Sequence, residues 1–362
     1  MTPDGPVPAD AEYVLPLRWA DDRGLADLAA YLGRLVAWLP VTVVDGSDDE
    51  RFAAHDRAFP PPVRHVRPDP RPGRNGKVAG VVTGLRLARA DRVVLADDDV
   101  RYDAAGLRAV LDGLATADVV VPQNVFDPLP WHARWDTART LVNRAVGGDY
   151  PGTLALRRTA LGPEGYDGDV LFENLELLRT VVARGGVVHR VDDVVVARRP
   201  PTARHFLGQR PRQAYDSLAQ PPRFAAELAL LPLVLLLARR RARALLLLAA
   251  AAAVALGERG RRRAGGADRF PATASLLVPA WLLERAVCAW LALVLRATGG
   301  APYGGARIAR AATPLRELRA RAAASSAPAP GHVHADDARP DDLPDHPATG
   351  RSPAPRHALE TA

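Results

Sequence analysis

Cysteine, methionine and lysine are nearly missing from this 362-residue chain, which carries one of each beside 47 arginines. The lone Cys288 excludes an internal disulfide framework and any Cys-rich zinc module. Met1 to Asp10 has no apolar core, so no secretory signal is read there and the first domain is expected in the cytoplasm. A P-loop is absent as well: the only lysine, Lys77, is followed by Val78 where that loop needs Ser or Thr. Apolar residues, by contrast, make up 48% of the chain, which excludes wholesale disorder. The length leaves room for a catalytic domain and something more, at about 100–200 residues per domain.

A net charge of +7 with a pI near 10.1 first suggests nucleic acid. The placement of the charge argues otherwise. Residues 1–238 hold 29 basic and 31 acidic side chains, whereas 239–263 hold eight Arg and one Glu and 296–321 hold six Arg and one Glu. Both basic blocks flank apolar segments: Phe224–Ala238, Ala244–Leu256 and Ala274–Leu295, the last interrupted by Glu284-Arg285. This pattern points to a membrane surface, where each Arg near anionic lipid contributes about 1 kcal/mol, and no nucleic-acid partner is expected. A span needs about 20 apolar residues. An in-plane or re-entrant hairpin keeps both Arg clusters on the cytoplasmic face, and a buried helical hairpin is the competing reading.

From Glu12 to about Val196, short apolar runs alternate with helical patterns, the mark of an α/β sheet. Strands are expected at Tyr13–Leu17, Val41–Val44, Val63–Val66, Arg92–Ala96, Asp118–Pro122 and Val187–Val196. Helices are expected at Leu25–Leu39, Lys77–Arg89, from Asp103 to Leu114, and at Asp169–Arg184. The domain organisation expected is a flexible 1–11, an α/β domain over 12–218, a membrane-associated helical region over 219–312 and a disordered Pro/Ala-rich tail over 313–362. In that tail His332-x-His334 is at most a weak metal pair.

Three features carry chemistry. Asp97-Asp98-Asp99 ends a hydrophobic strand, where open α/β sheets place ligands. Alternation puts Asp97 and Asp99 on one side and Asp98 on another, and a sparse set of hard oxygens suits Mg²⁺ or Mn²⁺ shared with substrate phosphates. The plainer reading is a solvated turn capping the next helix. Gly73-Arg74-Asn75-Gly76-Lys77 opens a helix and offers N–H groups to phosphate. The retained lysine stands out, although a surface lysine competes. Glu173 and Glu176, three apart on an expected helix, are neighbours; either is a candidate general base, and two solvated acids is the plainer alternative.

In order, these pieces resemble the membrane-associated family 2 glycosyltransferases with a GT-A fold, over residues 12 to about 218. Val43-Val44-Asp45-Gly46-Ser47 looks like that family's second-strand nucleotide element. Gly76-Lys77 with Gly84-Leu85 looks like its donor-facing helix, and Asp97-Asp98-Asp99 like its Asp-x-Asp metal motif. Gly152–Arg158 is similar to its sugar-pocket segment, Glu173-Asn174 to its catalytic acid pair, and Gln209-Arg210-Pro211-Arg212-Gln213 to its membrane-edge Gln-x-x-Arg-Trp. Gly299–Gly305 is loosely similar to ceramide-glucosyltransferase relatives.

The resemblance implies a Rossmann-like, mostly parallel sheet with flanking helices followed by membrane helices. It also implies an inverting, Mn²⁺- or Mg²⁺-dependent hexosyltransferase at the cell membrane. Such an enzyme moves one sugar from a nucleotide-diphosphate sugar, a UDP-sugar being the first expectation, to a lipid or lipid-linked hydroxyl. In that scheme Glu173 is the base and Asp97 and Asp99 hold the metal. Asp45, Gly46, Lys77, Asp97, Asp98 and Asp99 bind donor, while Gly152, Asn174, Gln209 and Arg212 lie on the acceptor or diphosphate side. Two departures stand out: Asn174 replaces the acid that most often serves as base, and Gln213 replaces the Trp of polymerising members. Trp131, His132, Trp135 and Arg139 are set evenly between an acceptor mouth and a packed helix. The rival classes are a membrane-tethered nucleotidyltransferase and a catalytically weak nucleotide-sugar-binding scaffold.

Overall fold

The expected first half is visible in the chain order of elements. The structure is a computed structural model that describes residues 7–8 and 10–326. It begins β1 (Ala11–Leu17), α1 (Leu25–Leu35), β2 (Val41–Asp45), α2 (Asp49–Ala58), β3 (Arg64–Val66), α3 (Gly76–Leu87) and β4 (Arg92–Ala96). These strands lie side by side in the order β3-β2-β1-β4, all parallel. Alternation within the strands covers both faces. Tyr13, Leu15 and Val43 pack against Leu28, Tyr31 and Leu32 of α1. Val14, Val93 and Leu95 face Val78, Val81 and Leu85 of α3 on the other side.

The second half is β5 (Val100–Arg101), α4 (Ala104–Asp112), β6 (Val119–Phe126), α5 (Trp131–Val146), β7 (Thr153–Arg157), α6 (Glu173–Ala183) and β8 (Val188–Arg198). It extends the sheet as β7-β6-β8-β5, with β7 antiparallel to both β4 and β6. Among the described residues this makes an eight-stranded mixed α/β sheet. Chain order reverses beside β1, so the carboxyl ends of β1 and β4 open a crevice, the place where such sheets bind ligands.

The carboxyl half continues through α7 (Ala203–Tyr215), α8 (Pro221–Arg239), α9 (Arg243–Arg262), α10 (Ala272–Leu276) and α11 (Val278–Ala297) to a hairpin of β9 (Ala301–Tyr303) and β10 (Ala306–Ile308). Gly304 and Gly305 form its two-residue turn with φ of 55° and 88°, a conformation that side chains resist. By length and composition α8 and α11 could each cross a membrane. Leu233, Leu235 and Leu236 of α8 and Leu245, Leu247 and Leu248 of α9 are exposed. The other end of α9 is docked on the α/β body, where the buried Arg144 of α5 donates to the carbonyls of Gly260 and Asp192.

Several local expectations need correction. Residues 313–326, assigned to a disordered tail, contain the helix α12 (Leu315–Ser326); Leu318 is buried there, and Thr313 N–H reaches the buried Glu176. The remainder of that tail, His332 and His334 included, and most of the expected flexible N-terminus lie outside the described residues. The helix expected from Asp169 starts at Glu173, because backbone hydrogen bonds from Asn75 to Gly168, Leu171 to Arg310 and Phe172 to Ala311 hold the preceding residues out of the helix. The polar helix α2 was not expected, since its sequence, half of it charged, lacks an apolar stripe; Asp48 caps it by accepting the Arg51 N–H.

Candidate active site

A cavity of about 590 Å³ opens at the carboxyl ends of β1 and β4. Gly46, Lys77, Asp97, Asp98, Asp99, Gly152, Glu173, Asn174, Gln209 and Arg212 all line it. Ten of the eleven residues to which the family resemblance gives a role therefore line one cavity. Asp45 is the exception. Its side chain is fully buried beneath the cleft, where Oδ2 meets His55 Nδ1 at 2.6 Å and His65 Nε2 at 3.2 Å and Oδ1 accepts the Ser47 N–H. β2 points that carboxylate at His55 of α2 and His65 of β3, away from the cavity lining. Burial raises the Asp45 carboxyl, but hydrogen bonds from His65, Ser47 and His55 outweigh it and hold the pKa well below the usual range. One ligand atom from each of Asp45, His55 and His65 lies within 4.8 Å of the others, a group able to hold a metal ion.

The aspartate triplet follows β4 in the turn to β5, so its carboxylates leave strand alternation and diverge. Asp97 Oδ1 lies 2.5 Å from Lys77 Nζ, Asp98 accepts from the Trp19 indole N–H, and Asp99 Oδ2 takes Arg198 Nε at 2.7 Å. Asp98, expected to face elsewhere, thus lines the same cavity. Asp99 Oδ1 is buried without a hydrogen-bond partner. Burial raises Asp99 to about 6; Arg198 opposes the rise and the neighbouring Asp98 and Asp97 add to it. Burial likewise raises Asp98 against the pull of the Trp19 hydrogen bond. Gly152 makes room for this cluster: a Cβ there would come within 2.3 Å of Asp97 Oδ2.

Lys77 joins the triplet to the candidate base. Asn75 caps α3 by accepting the Lys77 N–H at 3.1 Å, which sets the lysine in the first turn. Its ammonium also lies 2.6 Å from Glu173 Oε1. Burial works against that charge, yet Asp97 and Glu173 together carry the lysine pKa above its ordinary value. Glu173 is raised, first by burial and then by Asp97, with Lys77 pulling it back. The Tyr166 hydroxyl donates to Glu173 Oε2 at 3.4 Å. Glu176, the other base candidate, points away and accepts the Thr313 N–H. Asn174 donates to the Pro151 carbonyl, so its amide is a brace.

The same cavity is also lined by Arg139, Arg212, Asp216, Arg223, Arg285 and Tyr303. Arg212 lies over the Tyr303 ring at 4.6 Å, and Gln213 accepts from Arg210 at 2.7 Å. Asp216 is lifted to about 7 by burial, against Arg212, Arg285 and Arg139. Of the Trp131 group only Arg139 lines the cavity, tied to Asp136 and Asp149; Trp135 donates to Glu284, His132 meets the Pro201 carbonyl and Trp131 is exposed. Arg198, Asp216, Arg285 and Tyr303 were missed. Among 47 arginines no local signal separates Arg198 or Arg285 from the rest.

No protein-family model matches the sequence, and no curated protein does. Among solved structures the chain is similar to the mannosyltransferase PcManGT from Pyrobaculum calidifontis in complex with GDP-Man and Mn²⁺. Identity is 22% over 79% of this chain and 87% of that one, with a TM-score of 0.47. It is also similar to glucosyl-3-phosphoglycerate synthase from Mycobacterium tuberculosis in complex with Mn²⁺, uridine-diphosphate and phosphoglyceric acid. Identity there is 19% over 58% of this chain and 77% of that one, with a TM-score of 0.38.

Proposed function

We propose that the chain is a metal-dependent GT-A glycosyltransferase of family 2 type. It moves a single sugar from a nucleotide-diphosphate sugar to a hydroxyl of a lipid or lipid-linked acceptor, with inversion. The observation that carries this reading is the convergence of Asp97, Asp98, Asp99, Lys77 and Glu173 in one cavity at the carboxyl ends of β1 and β4.

The donor set fits a hard divalent ion: Asp97 and Asp99 supply carboxylate oxygens, and the buried Asp99 Oδ1 is already without a partner. Mn²⁺ or Mg²⁺ held there would neutralise charge on the departing diphosphate. The transfer makes one bond, from the acceptor oxygen to the anomeric carbon, and breaks the anomeric bond to the diphosphate. Glu173 takes the acceptor proton, and its burial-raised pKa brings it closer to neutrality, where a general base works best. Lys77 keeps that carboxylate oriented and supplies positive charge beside the phosphates. Direct displacement uses a single carboxylate base and inverts configuration.

The exposed leucines of α8 and α9, with Arg239–Arg243 between them, support seating at an anionic membrane surface with the catalytic domain on the cytoplasmic side. Placement there favours a lipid acceptor over a soluble one.

Calorimetry with a panel of nucleotide-sugars, with and without Mn²⁺, tests the proposal. One nucleotide-diphosphate sugar should bind in an Mn²⁺-dependent way, and Asp99→Ala should lose that dependence. Glu173→Gln should keep donor binding and slow transfer at least about 100-fold. Binding of none of the panel, or full transfer in excess chelator, refutes the proposal.

A further inference from the structure

The cluster under the cleft floor is not used by the transfer chemistry. Asp45 ends β2, His55 sits in α2 and His65 in β3, and their side chains are 0%, 0% and 4% exposed. Both rings turn one nitrogen to Asp45 Oδ2, His55 Nδ1 at 2.6 Å and His65 Nε2 at 3.2 Å. Each outer nitrogen meets another carboxylate. His55 Nε2 lies 3.2 Å from Asp22 Oδ1, and His65 Nδ1 lies 3.0 Å from Asp56 Oδ1.

A neutral imidazole has one N–H and one lone pair. Two neutral rings therefore serve only two of these four contacts and set a lone pair against a carboxylate oxygen in the other two. The set balances in one of two ways. Two extra protons make both rings imidazolium, or one divalent cation stands among the three inner atoms while both rings stay neutral and donate outward to Asp22 and Asp56.

We infer that Asp45, His55 and His65 form a structural site for a divalent transition metal, Zn²⁺ in class, separate from the Asp97–Asp99 site. Two imidazoles and one carboxylate suit zinc better than Mg²⁺, which prefers an oxygen shell. The outward hydrogen bonds to Asp22 and Asp56 reproduce the carboxylate–histidine–metal arrangement that orients ligand rings.

The surroundings are apolar and aromatic. Phe52 stacks on His65 with centroids 4.0 Å apart, Phe59 packs on both rings, and Trp19 meets His55 edge-on. Bonds of about 2.0–2.2 Å in a tetrahedron put ligand atoms about 3.4 Å apart. The 3.2 Å pair fits as it stands, the 2.6 Å pair has to open by less than about 1 Å, and the two ring nitrogens, within 4.8 Å of each other, have to settle at the same spacing. Three carboxylates face the two rings, and the cationic side chain against this group is Arg51, 3.7 Å from Asp22. An ion here would tie β2, α2 and β3 together. Asp45 Oδ1 holds the Ser47 N–H and Gly46 lines the cavity, so the ion would also stiffen the turn that shapes the donor end.

The test is zinc titration by calorimetry of the full chain, stripped with chelator and carrying His332→Ala and His334→Ala to silence the tail pair. One tight Zn²⁺ site that persists in Asp99→Asn is expected, with X-ray absorption of the zinc-loaded Asp99→Asn chain showing two imidazoles in the shell. His65→Gln should weaken binding at least about 100-fold. Asp56→Asn, at a carboxylate 63% exposed, should weaken it about 10–100-fold as an outer-shell change. Asp99→Asn should leave zinc affinity unchanged, separating this site from the catalytic one. No zinc uptake, or wild-type affinity in Asp56→Asn, overturns the inference and leaves a doubly protonated hydrogen-bond network. The Asp56→Asn arm decides alone if His65→Gln does not fold.

Discussion

Replacing Lys77 with Met removes the ammonium that sits 2.5 Å from Asp97 and 2.6 Å from Glu173. Two carboxylates are then left facing each other in a largely enclosed site. Breaking a buried ion pair by deleting one partner costs about 3–5 kcal/mol. The three side chains are still 23%, 22% and 10% exposed, which places the loss at the lower end, about 3 kcal/mol. Urea denaturation followed by circular dichroism, in chelator at pH 8, measures it.

Two accompanying results follow from the same geometry. The loss should shrink as pH falls, because removing Lys77 leaves Asp97 to raise Glu173 further and protonating Glu173 relieves the repulsion. Millimolar Mn²⁺ should restore more stability to Lys77→Met than it adds to wild type, since a cation then replaces the missing charge between the acids. Lys77→Arg keeps the charge and should recover most of the stability. A Lys77→Met protein as stable as wild type in chelator, to within about 0.5 kcal/mol, refutes the bridging role.

Asp216→Asn should stabilise the protein at pH 8 and leave it unchanged at pH 4. A carboxyl lifted from 3.8 to about 7 in the folded state binds a proton there that the unfolded chain has lost, so its penalty grows as pH rises between those values. The lift corresponds to about 4 kcal/mol, and partial exposure of the side chain reduces the expected gain to about 2 kcal/mol, read from denaturation midpoints. Gly152→Ala should displace Asp97, because the new methyl meets Oδ2 at 2.3 Å. Mn²⁺ affinity by calorimetry should fall at least about tenfold, with a stability loss of about 1–3 kcal/mol for overpacking.

Much of the site was legible because its central pieces are local. Asp97–Asp99 follow a run of apolar strand residues without interruption, and Lys77 follows a capping Asn75, so strand end and helix start could both be read from neighbours in sequence. The same reasoning failed where a side chain's fate depends on what lies across from it. Asp45 ends the expected second strand but is claimed by His55 and His65, ten and twenty residues on. Asp98 leaves strand alternation because β4 has ended at Ala96. Glu173 and Glu176 share a helix start, yet one meets Lys77 and the other Thr313.

The amino-acid sequence by itself determined the alternating α/β pattern, the position of the acidic triplet, the helix-opening lysine and the concentration of arginine around the apolar helices. Each of these follows from periodicity, capping or composition over a few residues. Tertiary structure alone decided the partners. Arg198 was brought to Asp99 from 99 residues away, and Glu284, on an apolar helix, was tied to Arg210 from 74 residues away. The scarce lysine was set as a bridge between Asp97 and Glu173. Those pairings depend on how strands order in the sheet and how helices dock on it, because a charge is held by whatever lies within about 4 Å, however far along the chain it comes from.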